Sequence, residues 1–446
     1  MVQMKLKRNF GISKRIQAAF TFGAIVVTFL IALPVHAKNA GSLNFSLDPS
    51  ERPLVLKYPA LPNTLIERIE GKAKPTVAAT FSKPEGAIQQ NWALSNIGFF
   101  DLFRSTPNNN VLQHCSPEVV VAVVDTGIDY THPDLQSSVW VNPGESGPWE
   151  PPPLLAGKTN CRDKSCNGID DDGNGFIDDV VGWDFVNDVP FPYDTHGHGT
   201  HISGIISGNI SANSGTSGVC PKVGIMALKY YDSGSAGYNN LSNTVRAIQY
   251  AVQNGAQIIN YSGGGADPAA PERQAVEEAR KKGILFVAAA GNDGHSNDHS
   301  PYYPASYATE NIIGVASVNR TNQLLPSSNF GRTVSLAAPG LSILSTLPDG
   351  RFGTMSGTSQ ATAFVTGAAA LLASQMKADR QAFDFRRVKR WLEDGAKPLS
   401  TADGKHPVSH GLLSLPQAVA LQQRGTVPGK PIATKEIAAR PSGSKR

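Results

Sequence analysis

An α/β domain, with a doubly wound, mostly parallel sheet and helices on both faces, is the fold class this sequence predicts. Three observations predict it. Six short runs, residues 119–124, 224–228, 256–260, 284–289, 312–318 and 335–338, are apolar almost throughout instead of alternating with polar residues. Strands buried on both faces read that way. Segments with helical spacing, such as 241–254 and 271–282, lie between several of them. The 43 glycines and 31 prolines punctuate these runs with no fixed period, which excludes collagen and solenoid architectures.

Taken in order, the chain opens with Lys5, Lys7, Arg8, Lys14 and Arg15, then an apolar stretch over about 18–33, then Val35-His36-Ala37. This predicts a secretory signal over 1–37 with cleavage after Ala37, hence a secreted protein, extracellular or periplasmic, with no stable membrane anchor after cleavage. The stretch is short for a bilayer span, so an uncleaved anchor is the weaker alternative. Residues 38–87 are proline-rich without periodicity and read as a prosegment or spacer. The catalytic-type domain is expected over 88–423, closed by a helix over 411–423, and 424–446 reads as a disordered basic tail. The net charge is +4, and its excess sits largely in the two ends, so nucleic-acid binding gains no support. A monomer is expected.

Export makes the four cysteines candidates for disulfides, with three pairings open. Cys161 and Cys166 are close enough to staple one loop. Cys115 and Cys220 each stand five residues before an apolar run, so neighbouring parallel strands in register would bring them together. The favoured pairs are therefore Cys115–Cys220 and Cys161–Cys166.

In doubly wound sheets chemistry collects beyond the carboxyl ends of the strands. The run 119–124 ends in Asp125-Thr126-Gly127, which alone is equally well a turn-forming Asp. His196-Gly197-His198-Gly199-Thr200-His201 leads into an apolar helix. His198 and His201 have zinc-ligand spacing, but no Glu accompanies them, so zinc is disfavoured. Gly357-Thr358-Ser359-Gln360-Ala361 opens a helix over 360–375 with almost no polar content. Taken alone, Ser359 would be an N-cap.

In that order, the Asp125, His198 and Ser359 blocks resemble the three signature blocks of the subtilisin-like serine proteases. The resemblance covers about residues 89–423, including Val287-Ala288-Ala289-Ala290-Gly291-Asn292 and Ala337-Ala338-Pro339-Gly340. It implies an endopeptidase that hydrolyses peptide bonds through an acyl-enzyme. The chemistry asks for these residue types. A serine hydroxyl needs an adjacent base, imidazole titrates near neutrality and can return the proton to the leaving amine, and a carboxylate fixes its tautomer. The resemblance nominates the Ser359 N–H and the Asn292 amide as donors to the oxyanion. It also implies a polypeptide substrate bound as an extended strand along Ser262, Gly263 and Gly264. Tyr302 would then floor the site for the residue before the scissile bond and favour small or medium side chains there. Ala363 and Phe364 stand where the family usually has Pro and His, positions that carry no chemistry.

Between Asp125 and His198 lies Asn167-Gly168-Ile169-Asp170-Asp171-Asp172-Gly173-Asn174-Gly175-Phe176-Ile177-Asp178-Asp179. Asp170, Asp172 and Asn174 alternate as in the first half of an EF-hand loop, with Phe176 at the position that supplies a main-chain carbonyl. The twelfth position is Val181, so Asp178 or Asp179 would have to complete a structural calcium site. Clustered carboxylates repel without a cation, although a solvated Asx-rich turn is the plain alternative. Two other functions stay open. One is a catalytically silent, calcium-dependent binding module, disfavoured by the complete set of catalytic residue types. The other is a dedicated maturation protease or peptide ligase working through the same acyl-enzyme.

Overall fold

Strand β1 (Val120–Asp125) is buried at every position because both of its faces are covered, and the alternation of side chains sends successive residues to opposite layers. Val121 and Val123 join a core with Ile202, Ala368, Leu371 and Val388. Val120, Ala122 and Val124 join a second one with Ala247, Ile248, Val276 and Ala279. The computed structural model describes residues 61–69, 91–102, 111–153, 161–210, 215–233, 237–399 and 407–425. The expected signal, most of the 38–87 segment and the tail from 426 lie outside the described residues.

The remaining strands are β2 (Gly182–Asp184), β3 (Gly224–Lys229), β4 (Ile258–Tyr261), β5 (Leu285–Ala289), β6 (Ile312–Val318), β7 (Leu336–Pro339), β8 (Ile343–Leu347), β9 (Arg351–Met355) and β10 (Gly411–Leu412). Eight form one sheet in the order β10-β7-β6-β5-β4-β1-β3-β2, with parallel pairing throughout. From β1 the chain steps to β3 on one side and then returns to β4 on the other. The carboxyl ends of β1 and β4 therefore flank the topological switch point.

The helices are α1 (Asn63–Ile69), α2 (Trp92–Asn96), α3 (His198–Ser207), α4 (Gly237–Gln253), α5 (Ala270–Lys281), α6 (Thr358–Ala378), α7 (Phe385–Asp394) and α8 (Leu415–Gly425). Helix α6 is buried from Thr358 to Met376, and Ala363 and Phe364 sit within its unbroken run. It packs against α3, β4, β5, β6 and β7, which fixes where Ser359 is presented.

Several elements depart from the sequence reading. The 411–423 segment is not one helix: Gly411 and Leu412 pair with Leu336 and Ala337 of β7, and helix α8 starts only at Leu415. Within the segment read as irregular, α1 is helical. Leu65 is fully buried in the first core, and the Arg68 guanidinium donates to the Gln136 and Val139 carbonyls at 2.8 and 2.7 Å. The hairpin β8–β9 turns at Pro348-Asp349-Gly350, a recognised turn sequence.

Both favoured disulfides are present. Cys115 and Cys220 have Cα atoms 5.5 Å apart, and β1 pairs with β3 as Val120↔Gly224, one residue from the register expected. Cys161 and Cys166 close a short loop with Cα atoms 5.8 Å apart. No helix of the described residues is long and apolar enough to cross a membrane.

Candidate active site

Asp125 ends β1 and is 3% exposed. Its Oδ1 accepts from its neighbour's N–H, Thr126, at 2.8 Å and lies 2.7 Å from His198 Nδ1. His198 is the first residue of α3, and the helix end is held against β1 by two devices. Gly199 lacks a Cβ, and one built there would lie 2.1 Å from the Gly127 carbonyl oxygen, so only glycine permits this approach. Asp194, which the sequence reading overlooked, is fully buried and gathers the segment around itself. It accepts from the N–H groups of His196, Gly197 and Thr200 at 2.8–2.9 Å and from the hydroxyls of Thr126 and Thr200 at 2.9 and 2.7 Å. An aspartate at a helix start satisfies donors that have no partner inside the helix.

Burial depresses the His198 pKa, but the Asp125 charge and hydrogen bond, helped by Asp194, outweigh it and hold the group above its ordinary value. His201 is different. Its Nε2 bonds the Ile343 carbonyl at 2.9 Å, and burial pulls its pKa down to about 4. One imidazole faces a carboxylate and the other a carbonyl, so the pair does not converge on a metal.

Ser359 occupies the first turn of α6 and is 7% exposed. Its hydroxyl donates to the Ser262 carbonyl at 3.3 Å and makes no hydrogen bond to His198. Rotation about one side-chain torsion redirects such a hydroxyl, and catalytic hydrogen bonds are often loose without substrate. Asn292, just past β5, is exposed, and its Oδ1 accepts from the Thr358 N–H at 2.9 Å and the Thr358 hydroxyl at 3.2 Å. Both contacts assign the oxygen, which leaves the Nδ2 end of the amide as a donor beside the serine.

Ser262, Gly263 and Gly264 continue from β4 and form one wall of the site. The Tyr302 ring fills the slot between that wall and Gly291. A Cβ on Gly264 would lie 2.5 Å from Tyr302 Cε1, and one on Gly291 would lie 3.0 Å from Cδ2. Reciprocal backbone bonds between Gly265 and Tyr303, at 2.9 and 2.8 Å, close the floor.

In the acidic loop, carboxylate oxygens of Asp170, Asp172 and Glu145 come within 4.8 Å of one another. Glu145 lies 25 residues upstream of Asp170, and the sequence reading missed it. It is fully buried, Oε1 accepts from the Asp171 and Asp172 N–H groups at 2.6 and 3.2 Å, and Oε2 has no partner. Burial, with the nearby Asp179 and Asp172 charges, pushes its pKa to about 7. These hard oxygens suit a divalent cation such as calcium.

The other expected ligands make these contacts. Asp178 turns back to the Gly168 N–H at 3.2 Å. Asp179 accepts from Asn142, Asn174 and the Tyr250 hydroxyl. The Phe176 ring packs edge-on against Trp183, Phe185 and Tyr250, which anchors the residue without engaging its main-chain carbonyl. The Asn174 amide donates to Asp172 and Asp179. Glu145 is thus a third carboxylate beside Asp170 and Asp172, where the sequence reading looked to Asp178 or Asp179.

A parallel switch-point sheet carrying a serine at a helix start and a carboxylate-bound histidine holds the residue types of a serine-type hydrolase, and the comparisons show the class, a serine-type endopeptidase, and its family. The model of the subtilase family matches residues 116–411. The thermophilic serine proteinase of Bacillus sp. (strain AK1) is 30% identical over 367 residues, covering 80% of each chain. Thermitase of Thermoactinomyces vulgaris is 37% identical over 256 residues, 57% of this chain and 75% of that one. Among solved structures, the self-cleaved protease domain of PatA aligns with a TM-score of 0.52 at 26% identity, covering 70% of this chain and 98% of that one. The chain belongs to the subtilase family.

Proposed function

We propose that this protein is an exported, calcium-stabilised endopeptidase that cleaves after small residues through an acyl-enzyme on Ser359. The observation that carries the reading is the 2.7 Å contact between His198 Nδ1 and buried Asp125, one side of a site whose other side presents Ser359. With Nδ1–H donated to Asp125, Nε2 is the free base. It takes the Ser359 proton as the oxygen attacks the peptide carbonyl, then passes it to the leaving amine. Asp125 stabilises the imidazolium formed between these steps. The oxyanion receives the Ser359 N–H, at the positive end of α6, and the Asn292 amide. Water then releases the acyl group by the same route.

The substrate lies as an extended strand along Ser262, Gly263 and Gly264, and its side chain before the scissile bond meets Tyr302. With that slot filled by a ring, alanine or a similar residue fits and a large one does not. Asp170, Asp172 and Glu145 would hold calcium, whose charge relieves their mutual repulsion and fixes the loop ahead of β2. Export is supported by the signal-like opening and by the two disulfides, which persist in oxidising compartments. A narrowed slot also favours a maturation protease with few substrates over a general scavenger.

The test is labelling with a fluorophosphonate probe followed by peptide mapping. The reading expects one adduct, on Ser359, lost in His198→Ala. No adduct on Ser359, or equal labelling of the His198→Ala variant, overturns it.

A further inference from the structure

A cavity of about 700 Å³ opens beside the glycine wall, lined in part by Gly263, Gly264 and Gly265. That size is typical of sites that enclose a small molecule or a long side chain. Its lining combines two chemistries. The rings of Tyr230, Tyr231, Tyr261 and Tyr302 supply aromatic surface, and Asp267 and Glu272 supply carboxylates. Among the described residues no lysine or arginine lines it. Buried Lys229, next in sequence to Tyr230 of the lining, is engaged by Asp232 at 3.0 Å and Asp184 at 4.0 Å.

Glu272 is the unusual member. It stands in the first turn of α5, is only 6% exposed, and has one hydrogen bond, from the Tyr307 hydroxyl at 2.9 Å to Oε2. The same hydroxyl accepts from the Ala269 N–H at 3.0 Å, which fixes it in place. Burial pushes the Glu272 carboxyl above its ordinary range, as expected for an acid with one donor and no cation. A group left so incompletely paired in the lining of a cavity is stabilised by whatever brings positive charge to it. Asp267 is exposed at the rim.

We propose that this cavity binds a basic side chain of the substrate, arginine or lysine, with Glu272 as the specificity-determining carboxylate, Asp267 steering at the rim and the tyrosine rings contacting the aliphatic stem and cation. The proposal rests on the protease reading and adds the substrate class. Its place along the peptide follows from spacing. The cavity shares Gly263, Gly264, Gly265 and Tyr302 with the substrate wall, so it lies on the N-terminal side of the scissile bond. An extended chain rises about 3.3 Å per residue, and a wall three glycines long thus places the basic residue within about four positions of that bond. Aromatic faces and a desolvated carboxylate together select a cation over a neutral chain of equal length.

The experiment uses quenched fluorescent peptides with alanine before the scissile bond. Arginine, lysine, norleucine or glutamine is placed in turn at the second, third and fourth positions upstream. At one position arginine and lysine should raise kcat/KM at least about tenfold over norleucine and glutamine, a difference of about 1.4 kcal/mol. Glu272→Gln should collapse that ratio, and Asp267→Asn should reduce it and its salt dependence. Norleucine equal to or better than arginine in the wild-type protein overturns the proposal without any variant, as does a ratio unchanged in Glu272→Gln. Should that variant fail to fold, an Asp267→Asn ratio that is unchanged at low salt overturns it. Cleavage with no charge preference defeats this inference alone, whereas no cleavage together with no probe adduct on Ser359 defeats the protease reading beneath it.

Discussion

Replacing Tyr302 with alanine should open the site to large side chains. The ring lies so close to Gly264 and Gly291 that a Cβ on either would fall 2.5 or 3.0 Å from it, so the slot has no room for a second ring. Removing the phenol creates a space of about the same shape. Full burial of a leucine or phenylalanine side chain is worth about 1.5–3 kcal/mol. Tyr302 is itself only half-buried, so the lower end applies, which corresponds to about tenfold in kcat/KM relative to alanine. The assay compares peptides with alanine, leucine and phenylalanine before the scissile bond in the wild-type protein and in Tyr302→Ala, after equal melting curves confirm folding. The wild type should rank alanine first and the variant phenylalanine or leucine. An unchanged ranking would show that the substrate side chain does not enter the slot that Tyr302 fills.

Asn292→Ala should lower kcat about 10²- to 10³-fold with little change in KM, the loss known for the corresponding donor of subtilisin; a loss confined to KM would place the amide in binding. Because Asp125 holds His198 protonated to higher pH, kcat/KM should fall as pH drops through a midpoint above the ordinary 6.5, where the base becomes an imidazolium. A midpoint at about pH 5 would contradict that sign. Chelation should lower the melting temperature, and calcium at about 100 times its Kd should restore about 2.7 kcal/mol. The shift should shrink in Glu145→Gln, and calorimetry showing the same calcium effect in that variant would remove Glu145 from the site.

How far the sequence reveals this molecule depends on the range of the interaction concerned. The six sheet strands are legible because burial on both faces leaves a purely apolar run, while their ends shift by a residue or two because hydrogen bonding sets them. Helix α6 is legible for the same reason. Helix α7 carries a readable signal that the strand pattern overshadows: Asp384 caps it, and Phe385, Val388, Trp391 and Leu392 share its buried face. Asp194 stands four residues before His198, outside the N-cap position held by Gly197, so no local rule marks it as the acceptor of the His196, Gly197 and Thr200 N–H groups. Glu145 has no local mark either. It reaches Asp170 and Asp172 only through tertiary folding, which no spacing rule encodes. The Tyr302 slot is half legible, since its place follows from the family pattern while the seating of the ring depends on two glycines, Gly264 and Gly291, from separate strand ends.

The central claim is that Asp125, His198 and Ser359 act as one unit on a single bond. Rates for the three single alanine variants and the triple variant, on one alanine-containing peptide, test it most directly. Groups that share one transition state lose activity together, so Ser359→Ala or His198→Ala alone should fall nearly as far as the triple variant, within about tenfold. Losses that multiply from one variant to the next, or a His198→Ala enzyme within about tenfold of wild type, would contradict the account.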